Sequence, residues 1–175
     1  MGKGILIFGL NGSGKTTLGR VLASTLNYKA MDIEDYFFLP SDIPYSRTRP
    51  KYECNELILN DMKHSDGFVF SVLKRELTKE ILEHIELGVF LDVPDEIRYK
   101  RVEERMHMKF GDRIKVGGDM YASEQAFMTS VRSKSLNEVI TWADFLECPI
   151  IKVDGRKATS ECVKEIIDKY NQLKC

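Results

Sequence analysis

Residues Gly9-Leu10-Asn11-Gly12-Ser13-Gly14-Lys15-Thr16 read G-x-x-x-x-G-K-T, a spacing suited to gripping a chain of phosphates. Gly9, Gly12 and Gly14 lack a Cβ, so the backbone can wrap closely around a phosphate and adopt φ > 0. Successive N–H groups, including those of Asn11, Ser13 and Thr17, then converge on phosphate oxygens. A helix starting near Lys15 adds its positive dipole end. The Lys15 ammonium is placed to reach the β- and γ-phosphates, and the Thr16 hydroxyl to ligate Mg²⁺.

The flanks supply what such a loop needs. Ile5-Leu6-Ile7-Phe8 is a short apolar run, as in a strand buried on both faces. Leu18, Val21, Leu22, Thr25 and Leu26 recur at helical spacing and predict one apolar face. Further along, strands are predicted near Tyr28 to Ile33, over 67–72, over Val89 to Val93 and over 150–153. Between them lie an irregular segment with Pro40, Pro44 and Pro50, a helix around Cys54, Leu57, Ile58 and Met62, and a helical face on Leu73, Leu77, Ile81 and Ile85. Pro94 suits the first turn of the next helix. A polar stretch from Met106 to Ser123 interrupts the pattern; helix resumes through Phe127, Val131, Val139 and Ile140, and a last helix turns Val163, Ile166, Ile167 and Tyr170 inward. Alternating strands and helices predict an α/β fold: three layers, α/β/α, around a five-stranded parallel sheet. Ligands then gather at the carboxyl ends of the strands.

The 175 residues suit one domain, with an acceptor-binding insert at about 36–66 and a lid at about 106–123. Acidic and basic residues nearly cancel, 27 against 26, so no strong field argues for nucleic acid or an anionic membrane as partner. No apolar run is long enough to span a bilayer, and the first strand follows Met1 at once, without a signal peptide. Cys54, Cys148, Cys162 and Cys175 are scattered, which predicts reduced thiols in a cytoplasmic protein. The sequence is compatible with a monomer or a homodimer.

Other residues invite chemistry. Asp32, Glu34 and Asp35 follow the second strand, at the ligand edge. A carboxylate there can orient or deprotonate a hydroxyl acceptor, or hold Mg²⁺ through water; the same cluster could cap the next helix. Arg47 and Arg49, in a proline-bounded loop after Tyr45, suit capture of an anionic acceptor. Arg98, Arg101 and Arg105 fall three and four apart and line one helix face, where Arg98 can be read as surface charge alone. Arg113 sits among Gly111, Gly117 and Gly118, which suit a hinged lid. Val153-Asp154-Gly155 can offer backbone groups to an adenine edge, or merely end a strand. Trp142 and the Phe37-Phe38 pair read as core.

Together, five strands, the loop near the N-terminus, an arginine-rich lid after strand four and the Val-Asp-Gly turn resemble the small P-loop kinases, a group within the P-loop NTPases that includes adenylate, shikimate and gluconate kinases. The resemblance covers nearly the whole chain. It implies ATP and Mg²⁺ as cofactors. It further implies that Arg101 stacks near adenine or contacts phosphate, and that Arg105 and Arg113 close over the transferring group. Asp32-Ile33-Glu34 looks like the D-x-D of shikimate-type kinases, with Glu34 replacing the second Asp. The third strand departs from the pattern: Ser71-Val72-Leu73-Lys74-Arg75 stands where relatives carry an acidic or glycine-rich motif. Asp92 lies on the wrong strand for a metal-binding Asp and reads as structural, which leaves Asp32 as the Mg²⁺ candidate.

The leading expectation is an ATP-dependent phosphotransferase acting on a small, anionic, hydroxyl-bearing metabolite. A nucleoside monophosphate acceptor needs cations and no base, whereas a hydroxyl needs a carboxylate; Asp32 and Glu34 favour the hydroxyl. A nucleoside monophosphate kinase and a non-catalytic ATP-binding sensor remain the alternatives.

Overall fold

A computed structural model describes residues 2–41, 46–73 and 77–174. Pro44, Tyr45, Lys74, Arg75 and Cys175, which figure in the sequence reading, lie outside the described residues. The elements run β1 (Lys3–Phe8), α1 (Lys15–Leu26), β2 (Lys29–Asp32), α2 (Ile33–Phe37), α3 (Lys51–Lys63), β3 (Gly67–Val72), α4 (Lys79–Leu82) and β4 (Ile85–Asp92). Then follow α5 (Asp95–Phe110), a 3-10 turn (Gly111–Ile114), α6 (Tyr121–Ser133), α7 (Leu136–Ala143), β5 (Ile150–Asp154) and α8 (Thr159–Lys174). The five strands pair in the order β2-β3-β1-β4-β5, every pair parallel. This is the expected α/β architecture, with β1 central and its carboxyl end feeding the glycine loop.

Strand alternation builds the layers. Leu6 and Phe8 of β1 join Phe68 and Phe70 of β3 on one face, packed with Ile58 and Met62 of α3 and Val139 of α7. Ile5 and Ile7 join Val69, Val89 and Leu91 on the other, under Leu18 and Leu22 of α1 and Ile166 and Tyr170 of α8. The edge strands each carry an ion-paired lysine: Lys29 on β2 meets Asp61 at 2.7 Å, and Lys152 on β5 meets Asp92 at 2.8 Å. Trp142 packs edge-on against Phe8. A third core joins Val102, Met106 and Phe110 of α5 to Met120, Met128 and Val131 around α6. No helix of the described residues is long and apolar enough to cross a membrane.

Several expectations are corrected. Among the described residues, the face predicted on Leu73, Leu77, Ile81 and Ile85 is helical over Lys79–Leu82 alone. Ile85 instead opens β4, which starts four residues before the predicted Val89. Ile85, Leu87 and Val89 pair with Gly4, Ile5 and Ile7 of β1, with a register shift between Gly4 and Ile5 that leaves Ile85 in the core on the opposite face, and strand pairing overrides the accidental spacing of four. On α1, Val21 is 41% exposed, while Gly19 and Ala23 face the sheet; the helix rolls so that small residues meet β3. The predicted interruption at Met106 starts later, because Met106 and Phe110 have apolar partners across the hairpin that keep α5 helical to Phe110. Arg98, read as surface charge, is 1% exposed.

Ile7 is fully buried at the centre of the sheet. Ile7→Ala is expected to cost about 2–5 kcal/mol of stability, measured as a lowered urea midpoint with unchanged slope.

Candidate nucleotide and acceptor site

β1 ends at Phe8, and the chain then turns through Gly9, Gly12 (φ 79°) and Gly14 (φ 97°) before entering α1. At Gly12 a Cβ would stand inside the carbonyl oxygen of Arg98, so only glycine satisfies both the conformation and the close approach of α5. Gly14 caps α1 without any side-chain hydrogen bond, leaving the first N–H groups of the helix facing the cavity.

The Lys15 residue is partly exposed, but its ammonium is drawn into the loop, where it donates to the Leu10 carbonyl at 3.0 Å. Burial lowers its pKa to about 8, against the opposing pull of Glu34 and Asp32. The Thr16 hydroxyl donates to Asp32 Oδ2 at 2.5 Å, and Asp32 Oδ1 accepts from the Glu34 N–H at 3.0 Å. Asp32 therefore caps α2 and also lines the cavity beside Thr16. Burial, then neighbouring Asp32, raises the Glu34 carboxyl above its ordinary range; the same two causes raise Asp35. Ser71 occupies the end of β3, with its hydroxyl on the Lys15 carbonyl at 3.2 Å.

A cavity of about 210 Å³ gathers Asn11, Gly12, Gly14, Lys15, Thr16, Thr17, Asp32, Glu34, Ser71, Leu73, Arg101 and Arg105. A second cleft, about 260 Å³, continues past Ser13 and Gly14 to Leu91, Gly155, Lys157, Thr159 and Cys162. Arg101 stands between them, with Nη1 on the Ser13 carbonyl at 3.3 Å and Nη2 on the Gly155 carbonyl at 3.2 Å. Asp35 lines a pocket of about 30 Å³ with Thr16, Arg20 and Ser71.

Other predicted residues stand apart from these cavities. Arg47 is exposed, and its carbonyl accepts from the Leu39 N–H at 2.9 Å. Arg49 donates from Nη1 to the Tyr36 carbonyl. Arg113 forks onto Asp119 in the exposed turn, Nη2 to Oδ2 at 2.7 Å. Asp154 is held by Arg156 at 2.7 Å, and those hydrogen bonds lower its carboxyl to about 2; its neighbour Gly155 is the residue that lines the cleft.

Sequence reasoning missed two cations. Arg98 donates from Nη1 to the Asn11 carbonyl at 2.9 Å and also pairs with Asp95. Lys134, just beyond α6, donates to Asn11 Oδ1 at 2.8 Å. A signal for Arg98 exists in the stripe Arg98, Val102, Met106, Phe110, the buried side of α5 at spacings of four. Lys134 carries none, being 123 residues from its partner.

Among the described residues no group of three or more His, Cys, Asp or Glu could hold a metal ion. The donor set suits Mg²⁺ nonetheless: Mg²⁺ keeps several waters and takes one or two protein oxygens beside substrate phosphates. The adjoining Thr16 hydroxyl and Asp32 carboxylate offer one direct and one water-bridged oxygen.

The strand order, the glycine loop at the end of β1 and the lysine at the start of α1 define the fold of the small P-loop kinases. A family model described as an AAA domain matches residues 5–120, more than half of the chain, and the protein belongs to that family. An uncharacterised Bacillus subtilis protein, YqaC, is 26% identical over 178 residues, covering 96% of this chain and 97% of YqaC. The Bacteroides thetaiotaomicron shikimate kinase structure superposes with a TM-score of 0.56 at 16% identity, covering 97% of this chain and 98% of that one. The Bacillus subtilis YorR protein, solved in complex with phosphorylated GDP, superposes with a TM-score of 0.58 at 14% identity, covering 97% and 96%.

The lowered Lys15 pKa sets a pH dependence. A polyphosphate seated on the loop favours the ammonium, so binding above pH 8 takes up a proton and weakens about tenfold per pH unit. Calorimetric titration of ATP in buffers of different ionisation heat is expected to give about one proton taken up at pH 9 and none from Lys15 at pH 6.5.

Proposed function

We propose that this protein is an ATP- and Mg²⁺-dependent phosphotransferase that moves the γ-phosphoryl group to a hydroxyl of a small, anionic metabolite. The observation that carries this reading is the pairing of Thr16 with Asp32 across the mouth of the phosphate loop, beside Lys15 and Glu34. In such an arrangement the loop amides and Lys15 hold the β- and γ-phosphates. Thr16 and Asp32 are the residues that would hold Mg²⁺, which when bound would supply positive charge to the phosphate oxygens. The acceptor oxygen bonds to the γ-phosphorus as the bond to the β,γ-bridging oxygen breaks and ADP leaves. Asp32 orients the hydroxyl, and Glu34, which lines the same cavity, accepts the proton. Arg101 and Arg105 face the charge that spreads over the transferring group. The cleft past Arg101 suits the nucleoside, with Gly155 at its wall.

The acceptor enters from the side of residues 36–66, and the lid is the segment 106–123 carrying Arg113. Arg49 spends its guanidinium on the Tyr36 carbonyl, so Arg105 is the better candidate for meeting a charged acceptor in the cavity, with Arg47 and Arg49 shaping the entrance. A nucleoside monophosphate acceptor is disfavoured by two carboxylates on the acceptor side of the cavity.

A metabolite and nucleotide panel scored for ADP release tests the reading. Turnover with a hydroxyl acceptor supports it; turnover only with nucleoside monophosphates replaces it with nucleotide kinase chemistry; ATP binding without turnover on any acceptor makes the chain a sensor. Lys15→Ala is expected to lower transfer at least a hundredfold, on the order of 3 kcal/mol, with the fold intact by circular dichroism. Asp32→Asn is expected to lower the rate by about a hundredfold while ATP affinity stays within about threefold; equal losses in both would assign Asp32 a purely structural role.

A further inference from the structure

Cations take the carbonyls of the phosphate loop one by one. Lys15 Nζ donates to the carbonyl of Leu10 at 3.0 Å, Arg98 Nη1 to that of Asn11 at 2.9 Å and Arg101 Nη1 to that of Ser13 at 3.3 Å. A carbonyl aimed at a phosphate repels it, whereas the N–H on the opposite edge of the same flat peptide attracts it. Which edge faces the cavity is open wherever the next residue is glycine, because glycine takes φ of either sign. Gly12 (φ 79°) follows Asn11, and Gly14 (φ 97°) follows Ser13. Turning the Asn11–Gly12 peptide over rotates only ψ of Asn11 and φ of Gly12 and moves neither Cα.

Arg98 touches both halves of that peptide. Its guanidinium holds the Asn11 carbonyl, and its main-chain carbonyl stands where a Gly12 Cβ would be. The arrangement costs stability. Arg98 is 1% exposed, and the described residues offer its Nε no hydrogen-bond partner. It also opens the buried stripe Arg98, Val102, Met106, Phe110, where an apolar side chain would pack without burying a charge. Lys15 and Arg101 line the main cavity and are placed to meet phosphates themselves, whereas Arg98 lies outside the lining of both cavities. A buried cation where the pattern calls for a hydrophobe, set behind the loop, marks a functional constraint.

We propose that Arg98 is a positioning residue that locks the Asn11–Gly12 peptide, with the carbonyl held behind the loop and the Gly12 N–H turned towards the phosphates. Without that donor the carbonyl is buried and unpaired, and the peptide turns it into the cavity, where water satisfies it. The phosphates then meet an oxygen in place of an N–H. Arg98 thus exchanges fold stability for phosphate affinity. This rests on the proposed nucleotide reading, though not on any choice of acceptor.

The test measures stability and binding in the same variant of the full chain, with inorganic triphosphate and ATP, each with Mg²⁺, as probes. Arg98→Met is expected to keep or raise the urea midpoint, since an apolar side chain replaces a buried charge and continues the stripe. The same variant is expected to bind triphosphate about tenfold more weakly by calorimetry, the loss of one hydrogen bond to a charged group, and ATP by the same factor. Its ligand-free crystal structure is expected to show the Asn11 carbonyl facing the cavity. Weakened binding with the peptide turned over upholds the lock. Unchanged affinity with a lowered midpoint makes Arg98 a structural residue and overturns the proposal, as does weakened binding with the carbonyl still held behind the loop. Asp95→Ala keeps the test decisive if Arg98→Met does not fold. The Asp95 side chain is 65% exposed and pairs with Nη2 of Arg98, so its removal frees the guanidinium and leaves no buried acid behind. That variant is expected to bind triphosphate about threefold more weakly; unchanged affinity there overturns the lock. A wild type that binds neither probe overturns the nucleotide reading itself, and the lock with it.

Discussion

The site depends on a backbone that nothing but glycine can make at one point. Gly12 has φ of 79° and faces the Arg98 carbonyl at a distance that excludes a Cβ. Strand β1 delivers the chain to this turn and α5 closes over its back. The phosphate loop is therefore not a flexible ribbon lying on the surface. It is a main-chain cradle clamped between the centre of the sheet and a buried arginine, and its amides are aimed before any ligand arrives. Preorganisation of this kind is what makes main-chain dipoles effective towards developing charge.

Charge in the cavity is arranged in opposition. Lys15, Arg101 and Arg105 line the same cavity as Asp32 and Glu34. Each set moves the other's proton equilibria: the carboxylates oppose the loss of charge at Lys15, while Arg105 and Lys15 pull the Glu34 carboxyl down against the larger upward push of its surroundings. Burial dominates both shifts. One short strand, β2, and one capped turn place the whole acidic half, since Asp32 ends the strand, caps α2 and accepts from Thr16.

Where local pattern and tertiary partner agreed, the sequence was legible. The glycine loop, the alternation of strands with helices and the span of β3 followed from residue type and period alone. The Asp32–Glu34 cluster was placed correctly because the end of a parallel strand is a fixed address in such folds. What stayed hidden depended on distant partners. Ile85 fell at helical spacing from Ile81, and only pairing with β1 made it strand. Arg98 shares a face with Arg101 and Arg105 on one count of residues and with Val102 and Met106 on another; burial chose the second. Arg47 and Arg49 looked like an anion trap until the Tyr36 carbonyl claimed one of them. Lys134 reaches the phosphate loop by the path of the α5–α6 hairpin.

The two outermost strands, β2 and β5, are short, and each carries a lysine neutralised by an aspartate of the same molecule. An unpaired strand edge is an invitation to foreign backbone, and a cation planted along it obliges any intruder to break a local ion pair and strand a charge. The rims of the sheet thus carry a guard against amyloid-like growth, and a variant that swaps these lysines for apolar residues trades that protection away without touching the chemistry at the sheet's carboxyl end.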